Sequence, residues 1–146
     1  MSKKKPWKVG KESAMLQAWL TKMHPTDIRF KRVRLGPMPL KEPAAQFKVL
    51  QRWADAILIH DGMVEIIEAK LRPNLGVIGQ LEGYKKLFLQ TPEFTQYHKY
   101  PVKMKILAME FVTDVVEFAS DRGIEYEVFT KEQVNQVRND LAQVII

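Results

Sequence analysis

The chain has 146 residues, of which 46% are hydrophobic and none is cysteine. That is one domain with material for a full core, and it excludes disulfides, cysteine-held zinc, iron–sulfur clusters and a thiol nucleophile. The formal charge is +6 and unevenly spread: residues 1–34 hold ten Lys/Arg against Glu12 and Asp27, leaving thirteen basic against fifteen acidic residues beyond, an asymmetry that suits either a polyanion partner or a solubilising tail.

Residues 1–10 form a basic tail, expected to be disordered, whose opening MSKKKPWKVGK lacks the apolar core of a signal peptide. No apolar run approaches the length of a membrane span, so the expected setting is a reducing cytoplasm without membrane contact. Lys11 to Met23 reads as a helix with Leu16, Trp19, Leu20 and Met23 in one stripe, ended at His24-Pro25. Glu12 stands one turn before Leu16, where an acid also suits the helix dipole. Ile28 to Leu35 (IRFKRVRL) reads as a strand, with basic residues that suit an edge or a wall facing phosphates. Gly36-Pro37-Met38-Pro39 is a turn, and residues 43–51 read either as a short helix or as a loop.

The central stretch is RWADAILIHDGMVEIIEAK, residues 52–70. Asp61-Gly62 between two apolar runs signals a hairpin with a type I′ turn. A two-residue loop pairs His60 with Met63, Ile57 with Ile66 and Asp55 with Glu68; a four-residue loop would keep that register, and a three- or five-residue loop would shift it. Side chains alternate along a strand, so Asp55, Ile57 and Ile59 share a face with Val64, Ile66, Glu68 and Lys70. Opposed residues have Cβ atoms about 4.5–5.5 Å apart. Two carboxylates so placed repel unless a positive charge sits between them; a hard divalent cation or Lys70 supplies one. The opposite face carries Ala56, Leu58 and Ile67, so the sheet is expected to be covered by helices on both sides.

Asn74 is placed to cap a helix from about Leu75 to Leu89, on which Gln80 and Tyr84 share a face. Tyr84 is either a packed aromatic or a contact for a polymer ligand, and Gln80 needs partners if buried. Thr91 to Tyr100 reads as a loop whose aromatics pack on a core edge or stack on bases. Val102–Phe111 is a strand, Asp114–Asp121 a helix closed by Gly123, Ile124–Thr130 a strand, and Lys131 onward a last helix. The order suits a three-layer α/β/α sandwich around a mixed sheet. His24, His60 and His98 are scattered, with no P-loop, GxSxG or HExxH motif; His60 sits by the turn, far from Asp55.

Asp55, followed by Glu68-Ala69-Lys70 on the next strand and by Gln80-Leu81-Glu82-Gly83-Tyr84 on the next helix, resembles the PD-(D/E)xK nucleases, the restriction-endonuclease-like superfamily, in its RecB-like and Holliday-junction-resolvase-like branch. The customary Pro before the Asp is Ala54 here. The resemblance spans residues 10–130 as topology and 55–84 as motif. It implies an αβββαβ core in a single nuclease domain, residues 11–146, that hydrolyses DNA with Mg²⁺, Mn²⁺ substituting. It implies that Asp55, Glu68 and the Ala69 carbonyl hold the metal, with Glu12 as a further candidate ligand. Lys70 and Gln80 complete the catalytic set. Arg29, Lys31, Arg32, Arg34 and Tyr84 are the candidate DNA contacts. A chain of this size leaves little room for a specificity domain, which favours structure-directed cutting or recruitment by a protein partner; a homodimer is expected where two strands are cut together. The competing reading is a catalytically silent module of the same fold that binds DNA or a partner.

Overall fold

The computed structural model describes residues 10–37 and 52–145; residues 1–9 of the expected basic tail, the second half of the Gly36–Pro39 turn and the ambiguous run 43–51 lie outside them. Helix α1 is Lys11–Met23, strand β1 Ile28–Leu35, β2 Arg52–His60, β3 Met63–Lys70, helix α2 Gly76–Phe88, β4 Val102–Ala108, α3 Thr113–Asp121, β5 Ile124–Val128 and α4 Lys131–Ile145. Pro92–Tyr97, expected as loop, is a short 3₁₀ helix that inserts Phe94 into the core. The strands β4 and β5 stop short of the expected Phe111 and Thr130.

The sheet order is β1-β2-β3-β4-β5, with antiparallel pairing from β1 to β3 and parallel pairing from β3 to β5. Asp61 (φ 52) and Gly62 (φ 72) both take the left-handed conformation that a type I′ turn requires. His60 therefore pairs with Met63 and Ile57 with Ile66. The two parallel crossovers run the same way across the sheet, so α2 and α3 land on one face. Their residues Val77, Leu81, Phe88, Val115 and Ala119 cover Ile57, Ile66 and Ile106. On the other face Trp19 and Leu20 of α1, with Val134 and Val137 of α4, cover Leu58, Ile67 and Leu107. The result is the three-layer α/β/α sandwich with a mixed central sheet that the sequence predicts.

One irregularity shapes the site. Arg32 lies in the left-handed region (φ 55) although it is not glycine. Pairing of β1 with β2 skips the Arg32–Asp55 level and resumes at Val33↔Ala54. Phe30 and Val33, three apart, join the same core cluster, as do Ala54 and Ile57. Side-chain alternation thus inverts at Arg32 and Asp55 on both strands, and Asp55 sits where the regular ladder is interrupted.

Candidate active site

Asp55, Glu68 and Lys70 meet where β2 and β3 part. The β2–β3 ladder ends at Ala56↔Ile67, one level short of Asp55 and Glu68. Beyond it the Asp55 carboxylate takes over from the backbone: its Oδ2 accepts the Ala69 N–H at 2.8 Å. That bond fixes one carboxylate oxygen on the strand carrying Glu68. Ala69 itself pairs with Leu107 of β4 and lies on the opposite core.

Glu68 is 3% exposed, and among the described residues its buried Oε1 has no hydrogen-bond partner. Lys70 Nζ stands 3.7 Å from Glu68 Oε2, an ion pair too long for a good hydrogen bond. Burial, followed by the charge of Asp55, pushes the Glu68 carboxyl up to about 8, with Lys70 pulling the other way. A buried carboxylate normally finds partners, because desolvating it without them is costly. The orphaned oxygen, the adjacent second carboxylate and the all-oxygen donor set fit a hard divalent cation.

Helix α2 supports this corner. Gln80 Nε2 donates to Tyr84 Oη at 2.8 Å, and Tyr84 Oη donates to the Trp53 carbonyl at 2.8 Å, two residues before Asp55. Tyr84 is 3% exposed. Burial, then the charge of Glu68, raises its hydroxyl to about 12, so it stays a donor. With its ring in the core and its hydroxyl engaged on β2, Tyr84 presents no surface to a polymer ligand; it positions β2. Gln80 is half-buried and lines a hollow of about 310 Å³ together with Lys70, Arg72, Asn74 and Val77. Asn74 acts one residue outside the expected cap position: its Oδ1 accepts the Gly76 N–H at 2.9 Å, with Leu75 at the N-cap. A roomier hollow of about 830 Å³ lies on the opposite layer between α1, α4 and β1, away from the carboxylates.

Glu12 reaches the same end of β3, where its Oε2 accepts the Leu71 N–H at 3.3 Å. The basic residues of β1 divide. Arg29 bonds the carbonyls of His24 and Pro25, and Arg34 makes a two-pronged pair with Glu93 at 2.8 and 3.0 Å. Lys31 donates to Gln17, and Arg32 lies over the ring of exposed Trp53, 5.9 Å from its centroid; both remain exposed. The strand is therefore not a uniform basic wall. A grouping that the scattered histidines did not reveal joins His24, Asp27 and His60, with donor atoms within 4.8 Å of one another. Its signal exists only in the fold: the C-terminal end of α1 meets the hairpin turn.

No family model matches the chain, and no curated protein matches it. Among solved structures, it is similar to one described as a crystal structure of a repair endonuclease from Pyrococcus abyssi, with a TM-score of 0.52 and 13% identity. The match covers 85% of this chain and 49% of that one, so the chain spans about half the length of that neighbour. At such identity the likeness concerns the fold alone.

Proposed function

We propose that the protein is a metal-dependent DNA nuclease of the PD-(D/E)xK type. The observation that carries this reading is Glu68: a buried carboxylate with an unpartnered oxygen, set beside Asp55 and within reach of Lys70 at the open end of the central hairpin. A fold shared with a protein described as a repair endonuclease supports it.

Asp55, Glu68 and the Ala69 carbonyl are the proposed ligands of Mg²⁺, for which Mn²⁺ can substitute, with Glu12 as an outer contributor. Bound there, the cation would neutralise phosphate charge and lower the pKa of a coordinated water. Lys70 orients the attacking water or stabilises the charge that develops on the phosphate. Gln80 holds Tyr84 against β2 and presents its remaining polar capacity to the hollow beside Lys70. Lys31 and Arg32 contact the phosphate backbone of DNA. Structure-directed cutting or recruitment by a partner protein is part of this reading, and paired cleavage of two strands would require a homodimer.

The test is digestion of labelled linear duplex, single strand, flap and four-way junction DNA with Mg²⁺. Cleavage of at least one substrate, lost in Asp55→Asn, is expected. DNA bound in Ca²⁺ yet never cut in Mg²⁺ or Mn²⁺ would replace the nuclease by a DNA-binding module of the same fold.

A further inference from the structure

We infer that His24, Asp27 and His60 form a second metal site, selective for a borderline d-block cation of the Zn²⁺ class and independent of the carboxylate pair. One ligand atom of each residue lies within 4.8 Å of the others. Donors held 2.0–2.1 Å from zinc in a tetrahedron are roughly 3.4 Å apart, so closing on the ion requires a shift of about 1.5 Å at most. Asp27, at 37% side-chain exposure, has room to make it. Its Oδ2 already lies 2.8 Å from His24 Nδ1, and the two imidazole rings stand 4.8 Å apart.

The surroundings orient these donors. His60 Nε2 lies 2.9 Å from Oε1 of buried Glu65, while its Nδ1 lies 3.0 Å from Oδ2 of Asp61, whose side chain is 82% exposed and swings away when a metal takes that nitrogen. The other Glu65 oxygen lies 3.4 Å from Lys105 Nζ, which holds that side chain in place. An imidazole whose second nitrogen is held by a carboxylate is the usual arrangement around a bound metal, because it sets the tautomer and raises ligand basicity. The His24 ring is steadied by Trp19, at 4.8 Å between centroids. Two nitrogens and one oxygen select zinc-like ions over Mg²⁺, which prefers oxygen alone. The donors come from the end of α1, the loop before β1 and the hairpin, so a bound ion would clamp three segments that meet only in the folded chain, adding stability by linkage.

The experiment titrates the full chain with Co²⁺, whose visible absorption reports nitrogen ligation, with Zn²⁺ as competitor and melting temperature as second readout. The parent is expected to show one equivalent of coloured Co²⁺ displaced by Zn²⁺, and a higher melting temperature with Zn²⁺. His24→Ala and His60→Ala should weaken Co²⁺ by more than 100-fold, and Asp55→Asn/Glu68→Gln should leave it unchanged. Should His60→Ala fail to fold, Asp27→Asn, at a more exposed position, carries the same expectation. A colourless parent, a spectrum that survives both histidine substitutions, or a signal lost only with Asp55 and Glu68 overturns the proposal. Because the readouts are spectroscopic and thermal, they stand apart from whether DNA is cut.

Discussion

Strand β3 buries two glutamates three residues apart, and their surroundings are opposite. Glu65 is 4% exposed and Glu68 3%. Glu65 faces His60 at 2.9 Å and Lys105 at 3.4 Å, and that lysine also reaches Glu127 at 2.6 Å, whose second oxygen accepts the Trp19 indole N–H at 2.8 Å. Glu68 has a second acid beside it, a lysine at 3.7 Å and one oxygen with no partner. The difference separates charge buried to be satisfied from charge buried to be used. The first network belongs to the packing of α1 on the sheet; the second is the one proposed to hold a cation.

The largest expected effect comes from breaking the satisfied network. Lys105→Met leaves buried Glu65 and part-buried Glu127 with less compensation, and loss of one partner of a buried ion pair costs about 3–5 kcal/mol. Denaturant unfolding reads it directly. A loss below about 1 kcal/mol would mean that water compensates these acids and that the contrast with Glu68 is weaker than the geometry indicates.

Lys70→Ala should have the next largest effect, on rate rather than stability. Lys70 packs little, and its proposed worth lies in the transition state, where removing one electrostatic contact typically costs about 10²–10³-fold in rate. DNA affinity measured in Ca²⁺ should fall modestly. A Lys70→Ala protein that cuts as fast as the parent would remove Glu68-Ala69-Lys70 as the catalytic motif.

Much of this was legible in the residues. The Asp61-Gly62 turn announced the hairpin and the register that pairs His60 with Met63 and Ile57 with Ile66, because a type I′ loop takes two positive-φ residues; the expected Asp55–Glu68 level lies one step beyond the end of that ladder. Alternating and helical apolar patterns placed α1, β1 and β2 to the residue. The inversion at Arg32 was not legible, since nothing in IRFKRVRL marks a non-glycine left-handed residue. The meeting of His24 with His60 also escaped, because it depends on where the end of α1 lies against the hairpin, a tertiary relation without local signal. The division of the β1 arginines has the same origin: Arg34 finds Glu93, 59 residues away.

A pH series sharpens the comparison further. The Glu68 carboxyl is raised from an ordinary 4.5 to about 8, chiefly by burial and then by Asp55. Between those values the folded state holds a proton that the unfolded chain releases, so this group makes stability fall as pH rises from about 4.5 to 8 and flatten above. Proton and cation compete for the same oxygens, so Mg²⁺ affinity should climb across the same window. Glu68→Gln should remove both trends, read by denaturant midpoints at stepped pH with and without Mg²⁺. Identical slopes in parent and variant would show that Glu68 is ionised throughout and lacks the isolation inferred from its unpartnered oxygen.

The smallest effect extends the distinction to the basic side chains of β1. Arg34 is committed to Glu93, and Arg29 to two carbonyls at the end of α1. Among the described residues, Lys31 meets only a neutral amide and Arg32 only the Trp53 ring, and both are exposed. A cation already neutralised by an acid has few counterions to release, whereas an exposed one gives up its share when it meets a phosphate. Each phosphate contact adds about 0.9 to the slope of log K against log salt on duplex DNA. Lys31→Gln/Arg32→Gln should therefore flatten the slope by about 1.8, with a moderate loss of affinity at low salt. Arg29→Gln/Arg34→Gln should leave the slope near the parent's and act instead on stability. Anisotropy titrations of a labelled duplex in Ca²⁺ across a salt series compare the two pairs. If both pairs flatten the slope equally, Arg34 leaves Glu93 when DNA arrives, and the ion pair seen in the free protein is a resting contact that phosphate displaces.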